Sequence, residues 1–175
     1  RYDETAGGFE RDAVQPLDQG FDFYAPQTVL APDGRRIMIG WLDNWQYCKR
    51  TPRRHPWYSP MSAPRELSVR DGRLYQRPVR ELEALWKDTV AYQDVMIREE
   101  TELNGIRGRA MDMELVLRPE SPAGRFRLTF AGGSGCGTLI EYDFARGEMV
   151  MDRSRDGSDQ DLAHIRRVKT GQIGR

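Results

Sequence analysis

The dipeptide Asp71-Gly72 limits this chain more than any other feature. It stands between Glu66-Leu67-Ser68-Val69-Arg70 and Arg73-Leu74-Tyr75-Gln76, two runs that alternate apolar and polar residues. A two-residue connection of this kind takes positive φ at both positions, which Asp and Gly tolerate, and it folds one strand straight back on the next. A β-hairpin is therefore predicted over these residues. A second is predicted where Thr28-Val29-Leu30 and Arg36-Ile37-Met38-Ile39 flank the turn Ala31-Pro32-Asp33-Gly34. Pro78 closes the Asp71-Gly72 hairpin. After it, Val79, Leu82, Leu85 and Trp86 fall at helical spacing, with Pro78 suited to a first turn. This is the one convincing helical patch in the sequence, and it is short.

Beyond the patch the strand signals resume. Met111, Met113, Leu115 and Leu117 alternate with Asp112, Glu114 and Val116, and Phe126, Leu128 and Phe130 with Arg127 and Thr129. Thr138 to Tyr142 and Glu148 to Met151 read as further strands. Pro119 to Gly124, Gly132 to Gly137 and Arg146-Gly147 serve as turn material, with Gly132-Gly133-Ser134-Gly135 a flexible hairpin loop. From Asp152 the chain is polar and weakly patterned, and Ile165, Val168 and Ile173 are its large aliphatics after Leu162. The expected fold class is all-β. Residues 1–77 form propeller-like hairpin sheets, 78–89 a linker helix and 90–175 an incomplete β-sandwich. Two hairpins are too short and too polar to stand alone and need neighbours on both faces. Because the chain opens on Arg1 and its sandwich lacks closing strands, both ends are expected to be cut from a longer protein.

Composition removes whole classes of function. The 175 residues carry 27 Lys+Arg and 27 Asp+Glu; a dedicated nucleic-acid binder would show a basic excess, so no nucleic-acid partner is expected. No run approaches the roughly 18 apolar residues of a membrane span, and no charged-then-apolar leader opens the chain. Two histidines, His55 and His164, and two distant cysteines, Cys48 and Cys136, do not make a zinc site. The cysteines read as free thiols, which with the missing leader points to the cytoplasm; the absent N-terminus leaves an extracellular location open. Phosphate-binding glycine loops and Gly-x-Ser-x-Gly elbows are both missing. No cofactor is expected, and any catalysis falls to carboxylates.

Four segments have the residue types for chemistry. In Leu17-Asp18-Gln19-Gly20-Phe21-Asp22-Phe23-Tyr24-Ala25-Pro26-Gln27, Asp22 and Tyr24 would share one face of an extended strand. A carboxylate beside a phenol offers sugar hydroxyls both an acceptor and a donor. Residue types alone favour a plainer account, a loop leading into a strand with Asp capping its own backbone. In Ile39-Gly40-Trp41-Leu42-Asp43-Asn44-Trp45, the indole of Trp41 ends an apolar strand, where it serves equally as a stacking wall for a sugar ring or as core. The run from Lys49 to Tyr58 mixes basic and aromatic residues, but it is short and reads as a solvated loop. In Met61-Ser62-Ala63-Pro64-Arg65-Glu66-Leu67, Arg65 is expected to pair with a carboxylate from a neighbouring sheet, in a structural role.

Together these segments resemble glycoside hydrolase family 32, the invertases, sucrose-6-phosphate hydrolases, levanases and inulinases. Residues Asp18 to Gln27 resemble the family's Asp-x-Gly-x-Asp-Phe-Tyr-Ala-Pro-Gln segment, and Ile39-Gly40-Trp41-Leu42 its Gly-Trp-Met/Leu strand. Trp57 through Leu67 is similar to Trp-x-x-x-Met-Ser-Leu-Pro-Arg-Glu-Leu, and Gln76-Arg77-Pro78-Val79-Arg80-Glu81-Leu82 to the Gln-x-Pro-x-x-Glu-Leu exit from its propeller. Four motifs in family order, over about residues 17–86, make a specific match; Met151-Asp152-Arg153-Ser154 adds a weaker one. The resemblance implies the last part of a five-bladed propeller, a linker helix and most of a β-sandwich. It also implies a retaining mechanism in which two carboxyl groups lie roughly 5 Å apart.

The family's nucleophile segment, Trp-Met-Asn-Asp-Pro-Asn-Gly, does not occur in this sequence. Its Arg-Asp-Pro is not matched, since Arg11-Asp12 continues with Ala13, nor is its Glu-Cys, since Cys48 follows Tyr47. No catalytic residue is assigned to this chain. The resemblance carries over a substrate wall of Asp18, Asp22, Tyr24 and Trp41, with sucrose or a fructan as the small-molecule partner and the missing propeller blades of the same protein as the structural one. The alternative is a free-standing, non-catalytic carbohydrate-binding module rich in β-structure.

Overall fold

The computed structural model describes residues 2–9, 14–43, 60–108, 110–133, 135–155 and 164–170. Among them the regular secondary structure is almost wholly β. A two-residue ladder pairs β1 (Tyr2–Asp3) with β2 (Gly8–Phe9), Asp3 accepting from the Thr5 and Ala6 amides to close the turn. The first large sheet is an antiparallel meander of β3 (Tyr24–Leu30), β4 (Arg36–Trp41), β5 (Arg65–Arg70) and β6 (Arg73–Pro78), in that spatial order. Both predicted hairpins are present. Asp71 and Gly72 take φ of 49° and 71°, the mirror-image turn their residue types imply, with Arg70 opposite Arg73. At the other turn Gly34 sits at φ 85° and its amide donates to the Ala31 carbonyl at 2.9 Å.

The helical patch forms a 3-10 helix over Arg80–Leu85 rather than an α-helix. Six residues between extended Val79 and Trp86 give little room for the four-residue ladder of an α-helix. The second large sheet is another antiparallel meander: β7 (Arg125–Gly133), β8 (Cys136–Asp143), β9 (Glu148–Arg155) and β10 (Ile165–Lys169). Its register sorts the side chains cleanly. Phe126 faces Tyr142, Leu128 faces Ile140, and Met149 and Met151 stand opposite Val168 and Arg166, all on one face. The other face carries cross-strand ion pairs, Arg125 with Asp143 at 3.1 Å and Arg127 with Glu141 at 2.6 Å.

Two expectations differ from the structure. Residues 111–117 alternate but form no strand, and Met111, Met113, Leu115 and Val116 are exposed. Alternation provides a face, whereas a strand also requires a paired backbone, and among the described residues none lies beside this stretch. The weakly patterned tail contributes β10, whose five residues gain their place from pairing with β9. The glycine stretch lies, as expected, at the hairpin connection, here between β7 and β8, with Gly133 opposite Cys136 and Gly135 at φ 83°.

Neither sheet closes a core of its own. Met38, Val79 and Tyr142 are the buried large apolar residues among those described, while Val29, Leu30 and Val69 stay open to solvent. The chain exposes 15169 Å², against roughly 9,000 Å² for a compact monomer of its size.

An ionic cluster ties the turn between β3 and β4 to the 3-10 helix. Arg35 donates to both carboxylate oxygens of Glu81, at 3.1 and 2.5 Å, and to Asp33 at 2.7 Å. These hydrogen bonds pull the Glu81 carboxyl from its ordinary 4.5 down to about 2. A carboxylate with a lowered folded-state value stabilises the fold above its ordinary range, and that contribution is lost as pH falls through the folded value. In an acid titration, Glu81→Gln should flatten the loss of stability between pH 4.5 and 2. The difference from the parent should shrink in high salt, because Glu81 is 57% exposed.

Candidate substrate-binding segment

The segment from Gln15 to Phe23 has no regular structure, yet it is fastened along its whole length. The Gln15 side-chain amide imitates a neighbouring strand: its nitrogen donates to the Leu74 carbonyl at 2.6 Å and its oxygen accepts from the Leu74 amide at 3.0 Å. Gln76 on β6 donates to the Leu17 carbonyl at 2.6 Å. The Asp18 carboxylate accepts from the Gly20 amide at 2.6 Å through one oxygen and from Arg65 at 2.7 Å through the other. Gly20 is confined by this turn, since a Cβ there would lie 2.7 Å from the Asp18 oxygen.

Arg65 is the centre of the fastening. Its guanidinium reaches Asp18 and the Gln76 side-chain oxygen and lies 4.5 Å from the Phe23 ring centroid. The predicted ion pair of Arg65 therefore forms, although its carboxylate comes from the segment preceding β3 rather than from another sheet. The opposite support of Phe23 is Gly40, where a Cβ would come within 2.4 Å of the ring. Gly40 is thus fixed as glycine by packing. Its amide donates to the buried Ser62 hydroxyl at 3.1 Å, and its carbonyl accepts from the Ser62 amide at 2.8 Å. That exchange gives the Met-Ser-Ala-Pro motif its structural task.

Tyr24 and Trp41 stand directly opposite each other at the ends of β3 and β4, ring centroids 6.1 Å apart and 69° between planes. Tyr24 is half exposed, at 51%. Asp22 is half buried and lies two residues before β3 begins, so the expected sharing of a strand face with Tyr24 does not arise from regular strand geometry. Past Tyr24 the ladder breaks as well: Ala25 takes φ 44° and the register shifts before Gln27. Ala25 precedes Pro26, which closes the right-handed helical region to it, and the left-handed value is a strained alternative for a non-glycine residue.

The structure pairs Tyr24 with Trp41 at one end of the first sheet, with Asp22 two residues ahead of Tyr24 and Asp18 held by the Gly20 amide and Arg65. The contacts of Gly40 with Phe23, and of Arg153 and Arg166 with Phe21 and Gly20, were not expected. The Asp-x-Gly turn signalled part of the segment; Arg153 lies in the Met151–Ser154 motif, but nothing local signalled that it or Arg166 would reach Phe21. The stretch Lys49 to Tyr58, with Trp57 and His55, lies outside the described residues, as do Cys48 and Arg11-Asp12. Among the described residues no group of three or more His, Cys, Asp or Glu could hold a metal ion.

Comparison with known proteins covers both halves of the chain. A profile described as the glycosyl hydrolases family 32 N-terminal domain matches residues 1–78, and one described as the family's C-terminal domain matches residues 81–173. Sucrose-6-phosphate hydrolase of Salmonella typhimurium is 43% identical over 86 residues, which is 48% of this chain and 18% of that protein. Sucrose-6-phosphate hydrolase of Zymomonas mobilis is 33% identical over 149 residues, 84% of this chain and 29% of that one. Among solved structures, the Bombyx mori GH32 beta-fructofuranosidase BmSUC1 superposes with a TM-score of 0.62 at 23% identity, over 99% of this chain and 34% of that one. The chain thus spans about a fifth to a third of the length of the proteins it matches.

Proposed function

Since the chain belongs to glycoside hydrolase family 32, with a sheet of the propeller domain followed by a sheet of the sandwich, we propose that it is the part of a retaining β-fructofuranosidase that forms one lip of the sugar pocket. The substrate is sucrose, sucrose 6-phosphate or a fructan, and the catalytic carboxylates are supplied from outside these residues. One observation carries the reading: Asp22 is held between anchored neighbours beside the Tyr24–Trp41 pair at a strand end. Polyol hydroxyls suit a carboxylate and a phenol, and the apolar face of a sugar ring suits an indole. Asp18, with one contact already on each oxygen, serves the wall by holding its shape. The apolar residues that the first sheet leaves open to solvent, Val29, Leu30 and Val69, favour this reading over a free-standing module. The exposed free thiol of Cys136 suits a reducing compartment, and we place the protein in the cytoplasm on that ground.

The test is an assay of the intact protein on sucrose, sucrose 6-phosphate and inulin, with the anomer of the released fructose followed by NMR. Release of β-fructofuranose from at least one of them is expected, and none from the 175-residue chain alone. Turnover by the short chain would refute the assignment of the chemistry, and failure of the intact protein on all three would refute the function.

A further inference from the structure

The second sheet takes hold of the candidate site. The Arg153 guanidinium lies 4.0 Å from the Phe21 ring centroid and that of Arg166 4.8 Å from it. Arg166 Nε also donates to the Gly20 carbonyl at 3.1 Å. The two arginines are diagonal neighbours on one face of β9 and β10: Arg166 stands opposite Met151, and Arg153 is two residues further along β9. That face also carries Met149, Tyr142 and Val168. Arg153 Nε is buried without a hydrogen-bond partner. The contact the guanidinium does make is with the face of the Phe21 ring.

Asp22 therefore sits between two anchors on different sheets. Phe23 behind it is held by Arg65 of the first sheet, and Gly20-Phe21 ahead of it by Arg153 and Arg166 of the second. We propose that Arg153 and Arg166 are positioning residues, coupling the seating of the second sheet to the aim of the Asp22 carboxylate. This rests on the reading of Asp22 as a sugar-binding group. The pair fixes direction more than affinity, so its loss should fall on turnover: displacement of a reacting group by about 1 Å costs on the order of a hundredfold.

The experiment is a kinetic comparison in the intact enzyme of Phe21→Leu, Arg166→Met, their double variant, Arg153→Met and the aromatic rescue Phe21→Trp. Arg127→Met, which removes an arginine from the same sheet away from Phe21, is the control. Each of the first variants is expected to lower kcat roughly ten- to a hundredfold with KM changed less than about threefold. The double variant should be no worse than the poorer single one, and Phe21→Trp should recover most of the loss. If a variant does not fold, Arg166→Lys, which keeps the charge but not the planar stack, substitutes for it and should be intermediate. Lowered melting temperatures with unchanged kcat would reduce the contact to scaffolding and overturn the proposal, as would strictly additive losses. An inactive parent enzyme would instead sink the proposed function, and this inference with it.

Discussion

Asp22→Asn in the intact enzyme should lower kcat by about a hundred- to a thousandfold while the folded state melts near the parent temperature. The exchange keeps the shape of the side chain and removes its charge, so packing around Phe21 and Phe23 is undisturbed. What is lost is an anionic acceptor for a hydroxyl, or for a protonated carboxyl group of the chemistry supplied elsewhere in the protein. The pH profile separates these two roles. A carboxylate that only reads a sugar hydroxyl leaves the profile where it was and lowers its height. One that orients the acid/base group also moves the limb on which that group titrates, because a neighbouring negative charge raises the proton affinity of a carboxyl. Kinetics equal to the parent's would remove Asp22 from the site.

How much of this could be read beforehand depended on the range of the interactions involved. The Asp71-Gly72 and Ala31–Gly34 turns are decided by residues adjacent in sequence, and both hairpins are where those residues put them. β10 and the unpaired stretch 111–117 are decided by whether a partner strand is alongside, which no local pattern encodes. The same division runs through the site. Asp18, Asp22, Tyr24 and Trp41 could be picked out by residue type and motif, and the cross-strand pairing of Tyr24 with Trp41 follows from the hairpin. The break at Ala25 is legible in the proline that follows it. Arg166 and Gly20 touch across 146 residues of sequence, and no local pattern encodes that contact. Gly40 reads as an ordinary strand glycine until Phe23 is seen lying on it.

Arg65→Met should destabilise the intact enzyme by about 2–4 kcal/mol, at the lower side of what breaking a buried ion pair costs, because the pair is not fully sequestered. The side chains of Arg65 and Asp18 are 24% and 20% exposed and meet at 2.7 Å. Removing the cation leaves the Asp18 carboxylate with the Gly20 amide but without its counter-charge, and leaves the Phe23 ring without the guanidinium laid on it. Methionine fills much of the stem volume, so the loss reports the guanidinium rather than a cavity. Arg65→Lys should recover only part of the stability, since an ammonium cannot serve Asp18 and Gln76 and also lie flat on the Phe23 ring. Pairing Arg65→Met with Asp18→Asn gives the decisive measurement. If Asp18 is the partner that matters, the amide no longer strands a charge, and the double variant should melt above the Arg65→Met single one. A double variant that loses the sum of both single effects would mean that Arg65 stabilises the segment through Phe23 and Gln76 rather than through Asp18, and that Asp18 is available to turn its carboxylate toward a sugar.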